Sequence, residues 1–139
     1  MKRREFIKTA SAIPILSTLP ANLTMLNKNK TKGVLEKRTL GRTSEKLSLL
    51  GFGGIVVMDA TPAEAAERVA RAIEYGVNYF DVAPSYGDAE IKLGPALQPY
   101  RKNVFLACKT QERSKEGARK ELEQSLKHLY TDHLDLSGP

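Results

Sequence analysis

The chain has 139 residues, of which 41% are hydrophobic and 27% charged, a composition typical of a globular protein that excludes collagen-like and wholly disordered classes. This length permits one ordinary domain but falls well short of the roughly 250 residues of a complete eight-stranded barrel enzyme. The single cysteine, Cys108, excludes an internal disulfide and a cysteine-built zinc site, and we expect it to behave as a small buried hydrophobic residue.

The net charge of +6 is confined to the start of the chain. Residues 1–33 carry seven basic side chains and one acidic side chain, so the remainder is neutral overall. Because no basic face is left there, and because no recognition helix or base-stacking motif is present, the sequence does not support nucleic-acid binding.

Residues 1–24 have the layout of a targeting segment, with a basic head, a modestly apolar middle and a small polar end. The pair Arg3-Arg4 and the four residues after it resemble the twin-arginine export signal, which is recognised by a receptor. A basic amphipathic helix or a disordered arm is the alternative interpretation.

A polar, cationic stretch over residues 27–33 is typical of a solvated linker. We therefore predict an export signal with its linker over residues 1–33, a periplasmic location, and a folded domain over residues 34–139. No apolar run approaches the ~20 residues of a membrane-spanning helix, so we do not expect an integral membrane protein.

From Val34 onward, short apolar runs alternate with amphipathic stretches, a pattern that predicts a parallel sheet built from β-α units. Residues 35–40 and 46–50, joined by a turn at 41–44, predict a hairpin that runs into a first buried strand at 49–53.

A helix is predicted next, because residues 61–64 form a capping box with proline at the first helical position. We expect the helix to end at Gly76. Its predicted buried residues are Ala66, Val69, Ala70 and Ile73.

A strand at 77–83, a short helix at 90–100 interrupted at Gly94-Pro95, and a strand at 103–110 are expected to follow. Ser114 is the expected N-cap of the last helix, and residues 133–136 are expected to begin a fourth strand. The predicted buried side of that helix comprises Ala118, Leu122, Ser125, Leu126 and Leu129.

Three polar residues lie at or just beyond the carboxyl ends of predicted strands, where a β/α barrel builds its active site: Asp81, Tyr86 and Lys109. Burying a lysine there is costly unless an acid pairs with it, and Asp81 on the neighbouring strand is a suitable partner. An ammonium beside a tyrosine hydroxyl stabilises the phenolate, which lets Tyr86 exchange a proton. The alternative is that Asp81 caps a helix, Tyr86 is a wall residue and Lys109 is a surface lysine.

The run at 79–87, with Glu90 and the apolar residues that follow it, resembles the second-strand signature of the aldo-keto reductase superfamily. The similarity extends over about residues 36–136. The other segments that resemble the family, in family order, are 38–43 and 49–54, for its opening hairpin and first strand, and 107–110, for its third strand.

This resemblance implies an α/β fold, a (β/α)8 barrel, and the reduction of a small aldehyde or ketone by NADPH or NADH, or the reverse oxidation. NADP is the family's commoner choice. The resemblance assigns Tyr86 as the general acid, Lys109 as the group that promotes its proton transfer, and Asp81 as the residue that holds the lysine near the nicotinamide ribose.

The same resemblance matches Gly53, Gly54 and Ile55 to positions that approach the cofactor or substrate. The glycines here do not form a dinucleotide-binding fingerprint of the Rossmann type, because the third glycine and the later acidic residue are missing.

The sequence departs from the family at its end. The family's fourth catalytic residue is a histidine on strand four, and neither His128, on the last helix, nor His133, before the strand core, matches it. Strands five to eight have no counterpart either. We therefore expect the N-terminal half of a barrel, truncated after strand four and inactive or very weak alone.

Two other interpretations of the function are open. Four parallel strands leave two unpaired edges, which favours a non-catalytic half-barrel or a module that associates with another copy. A metal-dependent barrel hydrolase ranks last, because no His-x-His motif or carboxylate cluster follows a strand, and no metal site is predicted.

Overall fold

A computed structural model describes residues 34–138, so the predicted export signal and linker lie outside the described residues. Three helices and six strands are present in this part of the chain. The elements are β1 (Lys37–Thr39), β2 (Lys46–Ser48), β3 (Phe52–Gly53), a 3-10 helix (Gly54–Val57), α1 (Pro62–Glu74), β4 (Tyr79–Val82), α2 (Ala89–Leu97), a 3-10 helix (Gln98–Asn103), β5 (Phe105–Lys109), α3 (Lys115–His128) and β6 (Leu136–Gly138).

The main sheet is parallel, with the strand order β3-β4-β5-β6 that β-α units produce. The predicted α/β class is confirmed. Over residues 34–138 the sheet does not close into a barrel, because β3 and β6 are both edge strands.

The strands β1 and β2 form the predicted antiparallel hairpin, which Asn78 ties to the start of β4. The Asn78 carboxamide accepts the Ser48 N–H at 2.7 Å and donates to the Lys46 carbonyl at 2.8 Å. The first strand of the main sheet is shorter than expected. Only Phe52 and Gly53 pair with β4 before the chain turns into the 3-10 helix.

The helix α1 begins as predicted, with Thr61 and Glu64 in a reciprocal capping box. Among its predicted buried residues, Ala66 is exposed and its neighbour Ala65 is buried instead, whereas Ile73 is partly buried against the core. Val69 is buried, as expected.

The predicted interruption of the second helix at Gly94-Pro95 was also wrong, because α2 continues through both residues to Leu97. Gly94 is the point where α2 meets the end of α3, and a Cβ there would lie 2.9 Å from the Leu129 backbone and closer still to the His128 carbonyl. The glycine therefore allows close helix packing rather than breaking the helix.

The last helix begins after its predicted N-cap, Ser114, whose hydroxyl accepts the Gly117 N–H at 3.0 Å. Ser125 and Leu129 are buried as expected, but Leu122 is exposed.

The fourth strand, β6, begins later than predicted, at Leu136. Asp135, just before it, is bonded to β5 through both backbone and side chain: its N–H donates to the Leu106 carbonyl at 2.9 Å, and its carboxylate accepts the Leu106 N–H at 2.8 Å and an Arg101 N–H at 3.0 Å. These bonds fix the start of β6 against β5.

The core lies between the helices and one face of the sheet. Cys108 is in this layer and is 3% exposed, which confirms its predicted burial. In residues 34–138, no helix is long and apolar enough to cross a membrane. The largest fully buried side chains in the layer are Phe80, Leu93, Leu97 and Leu106.

Candidate active site

The alternation of side chains along β4 and β5 separates the core from the candidate site. Phe80 and Val82 face the helices, so Asp81 between them faces the opposite, open side of the sheet. Cys108 faces the helices in the same way, and Lys109 at the end of β5 faces the open side. Asp81 and Lys109 therefore meet at the carboxyl ends of neighbouring parallel strands.

Tyr86 comes from the loop that joins β4 to α2. Its N–H donates to the Ala83 carbonyl at 3.0 Å, and its own carbonyl accepts the Ala89 N–H at 3.0 Å. These two bonds fold the loop back over the end of β4. Gly87, with a φ of +57°, completes the turn in a conformation that favours glycine.

The three predicted site residues come together around the Lys109 ammonium. Lys109 Nζ forms an ion pair with the Asp81 carboxylate and donates to the Tyr86 hydroxyl oxygen at 3.3 Å. The same nitrogen lies 5.3 Å from the centroid of the Tyr86 ring. The Lys109 side chain is 41% exposed, so the site is open to solvent.

The surroundings of Lys109 favour its charged form. Partial burial lowers the pKa of Lys109, but the hydrogen bonds to Asp81 and Tyr86 outweigh that effect, so the pKa is raised on balance. Lys109 therefore remains an ammonium at neutral pH and acts as a hydrogen-bond donor.

Gly53, at the end of β3, and the two residues after it differ in what they contribute to the site. Gly53 lies opposite Asp81 and is exposed, and a Cβ there would meet only the Ile55 side chain, at 4.0 Å. A Cβ on Gly54 would lie 2.7 Å from Val82, so Gly54 is needed for close packing against β4. Ile55 is 50% exposed.

Neither histidine joins the site through its hydrogen bonds. His133 pairs with Asp132 at 2.6 Å, and His128 pairs with the Glu90 carboxylate at 3.2 Å. Among residues 34–138, no three histidine, cysteine, aspartate or glutamate side chains are grouped to hold a metal ion.

The buried carboxylate of Glu90 is a feature that the sequence did not assign. Glu90 is only 5% exposed and bonds to both Cys108 and His128 behind the site. The signal was an acidic residue in the first turn of the otherwise largely apolar helix α2.

Comparison with known proteins agrees with this geometry. A family model described as the aldo/keto reductase family matches residues 49–137. The chain belongs to the aldo-keto reductase family. The match includes Asp81, Tyr86 and Lys109 and the whole of the parallel sheet up to Ser137.

Similar proteins within the family include enzymes and solved structures. L-galactose dehydrogenase of Arabidopsis thaliana is 36% identical over 118 residues, which cover 73% of this chain and 37% of that protein. A putative aldo-keto reductase from Pseudomonas aeruginosa has a TM-score of 0.71 and 31% identity, over 79% of this chain and 48% of its own. An aldo-keto reductase from Klebsiella pneumoniae in complex with NADPH has a TM-score of 0.61 and 27% identity, over 75% of this chain and 38% of its own.

The chain thus spans less than half the length of these relatives. The family match itself, over residues 49–137, lies entirely within the described residues.

Proposed function

We propose that the chain supplies the general-acid half of an NAD(P)H-dependent reductase that converts small aldehydes or ketones to alcohols, or catalyses the reverse oxidation. The observation that supports this is the contact of the Lys109 ammonium with both Asp81 and the Tyr86 hydroxyl at the carboxyl end of the sheet.

The proposed chemistry centres on the Tyr86 proton. Tyr86 donates its hydroxyl proton to the carbonyl oxygen, which leaves a phenolate. Because the pKa of Lys109 is raised, the lysine stays charged, and its hydrogen bond stabilises that phenolate. Asp81 holds Lys109 in position and balances its charge before the proton moves.

A bound nicotinamide cofactor would supply the hydride. The residues fit such a group, since Gly53 presents no side chain next to Asp81 and leaves the open face clear for a flat ring. Asp81 could accept a hydrogen bond from a ribose hydroxyl, and Gly54 and Ile55 would border the same space. We favour NADP over NAD, because a related structure carries NADPH.

A chimera tests this proposal. Residues 34–138 would replace the matching segment of the Pseudomonas aeruginosa relative, which is 31% identical. We expect the chimera to oxidise NADPH with a simple aromatic aldehyde, whereas the isolated chain is expected to be inactive or very weak. Tyr86→Phe should lower kcat by about 10²–10⁴-fold, the usual contribution of a general acid, without loss of NADPH binding.

The matched control is Tyr130→Phe, which removes a hydroxyl at an exposed position after α3. It should leave kcat unchanged. A chimera that binds NADPH and reduces the aldehyde equally well with and without the Tyr86 hydroxyl would contradict the proposed role.

A second candidate function is association of the half-barrel with a second copy of this chain. It is favoured by the open edges β3 and β6 and by the exposed apolar side chains Ile55 and Leu136 beside them. If a two-fold axis ran along the axis of the barrel, β6 of each copy would pair in parallel with β3 of the other, giving eight strands.

Sedimentation velocity distinguishes this candidate. Association predicts a species of twice 15.4 kDa that forms as concentration rises, and Leu136→Lys at the β6 edge should weaken it. A monomer at every concentration would exclude it.

A further inference from the structure

Behind the proposed active site, a chain of hydrogen bonds crosses the layer between the sheet and the helices. Its centre is the Glu90 carboxylate in the first turn of α2. One oxygen accepts from the Cys108 thiol at 3.4 Å and the other accepts from His128 Nδ1 at 3.2 Å. A carboxylate this well buried is costly unless its bonds are satisfied, so these contacts constrain the elements that carry them.

The outer members of the network are bonded as well. The Cys108 sulfur also lies 3.4 Å from the Lys109 carbonyl oxygen, and Ser125 of α3 is 2% exposed. Gln124 Nε2 lies 2.6 Å from His128 Nε2. Because an amide nitrogen only donates, His128 Nε2 accepts from Gln124, which places the ring hydrogen on Nδ1, where it faces Glu90. The network thus joins α2, β5 and α3 through side chains only.

Both ends of the active-site contact are linked directly to this network. Tyr86 is bonded to the start of α2 through its carbonyl and Ala89, the residue before Glu90. Lys109 directly follows Cys108 in β5 and faces the opposite side of the strand. The Glu90–Cys108 bond therefore links the helix that anchors Tyr86 to the strand that carries Lys109.

We infer that Glu90 is a positioning residue, which sets the separation of Tyr86 and Lys109 by tying the first turn of α2 to β5 through Cys108 and to α3 through His128. The importance of that separation for turnover rests on the proposed function. The positioning itself is a property of the described domain and can be measured without cofactor or substrate.

Variants at Cys108 test the inference without changing the charge of Glu90. Cys108→Ala removes the donor to Glu90, whereas Cys108→Ser retains a donor of the same kind. The measurement is a pH titration of the Lys109 side-chain resonances by NMR in the 139-residue chain. We expect Cys108→Ala to lower the pKa of Lys109 toward its ordinary value, because its contact with Tyr86 loosens, and Cys108→Ser to restore the wild-type titration.

Val69→Ala is the structural control, because it removes buried volume from the same layer without touching the network. It should lower the melting temperature and leave the Lys109 titration unchanged. Cys108→Val, which also lacks a donor but fills more of the thiol's volume, provides a second test if Cys108→Ala does not fold, and it should shift Lys109 in the same direction.

The inference is overturned if Cys108→Ala, or in its place Cys108→Val, leaves the Lys109 titration unchanged in a folded chain. It is also overturned if Cys108→Ser shifts Lys109 as much as Cys108→Ala does. In the chimera, Cys108→Ala should lower kcat by about ten- to a hundredfold with KM unchanged. A displacement of a catalytic group by about 1 Å has an effect of this size. An inactive chimera would count against the proposed function and leave the NMR result standing.

Discussion

Cys108 and Lys109 are neighbours in β5 with opposite environments. The thiol is 3% exposed and faces the helices, whereas the Lys109 side chain is 41% exposed and faces the open side of the sheet. Burial, followed by the charge of Glu90, raises the pKa of Cys108 to about 12. The strand therefore holds a protonated thiol on one face and an ammonium that stays charged on the other.

The Cys108 thiol should be inert in the folded chain. At pH 8, a pKa of about 12 leaves roughly one thiolate in ten thousand. We expect alkylation by iodoacetamide at that pH to be at least about a thousandfold slower than in urea, and since the chain has one cysteine the label reports on this site alone. Comparable rates in the two states would contradict both the burial and the raised pKa.

The same shift predicts the sign of a pH dependence. The unfolded thiol loses its proton near its ordinary pKa of 9.0, and the folded thiol only near 12. The unfolded state therefore releases a proton first, and the free energy of unfolding should fall as pH rises through this window. Urea unfolding of the wild type and of Cys108→Ser should diverge above pH 9.

At the scale of the elements, α2 and α3 pack most closely at Gly94. The absent side chain lets the α2 backbone approach the His128 carbonyl and Leu129 at the end of α3. His128 also bonds to Glu90 from this end of α3, so the packing at Gly94 holds the positioning network together.

Gly94→Ala should destabilise the fold even though alanine favours helix. The propensity gain is about 1 kcal/mol, but the added methyl group meets backbone atoms that cannot yield, and forced shifts of this kind cost about 1–3 kcal/mol. Urea denaturation measures the difference. Ile91→Ala, at a half-exposed position of the same helix, is the control and should cost less. Equal or greater stability of Gly94→Ala would contradict the close packing.

The sequence predicted those elements whose signals are local. Thr61 marks the start of α1, and the strand-end positions of Asp81 and Lys109 placed them on one edge. Prediction from the sequence failed where a structural feature depends on residues that are distant in the chain. Gly94-Pro95 does not interrupt α2 because α3 packs there, and Glu90 gains its role from a histidine 38 residues away.

At the scale of the molecule, the carboxyl and amino ends of the parallel strands have different roles. The carboxyl ends of the strands carry Asp81, Lys109 and the Tyr86 loop. At the opposite end, Asn78 ties the hairpin to β4, and Arg101 bonds to Thr131, the His133 carbonyl and Asp135. Changes at this second end are therefore expected to affect stability rather than chemistry.

At the same scale, we propose that residues 1–33 direct the folded domain to the periplasm. Fused to a fluorescent reporter that matures only in folded form, they should carry it to the periplasm of a bacterium with a twin-arginine translocase. Arg3-Arg4→Lys-Lys should retain the reporter in the cytoplasm, and Lys28→Arg, in the linker, should not. Export that survives the paired change would contradict the signal.

The brevity of β3 has a consequence for the order in which the fold opens. Only two residues pair β3 with β4, whereas four register pairs join β4 to β5. Amide hydrogens of the hairpin and β3 should therefore exchange with solvent through a local opening that leaves β4 and β5 protected. The Asp81–Lys109 ion pair then lies in the part of the domain that stays closed, whereas Gly53 beside it lies in a part that opens locally.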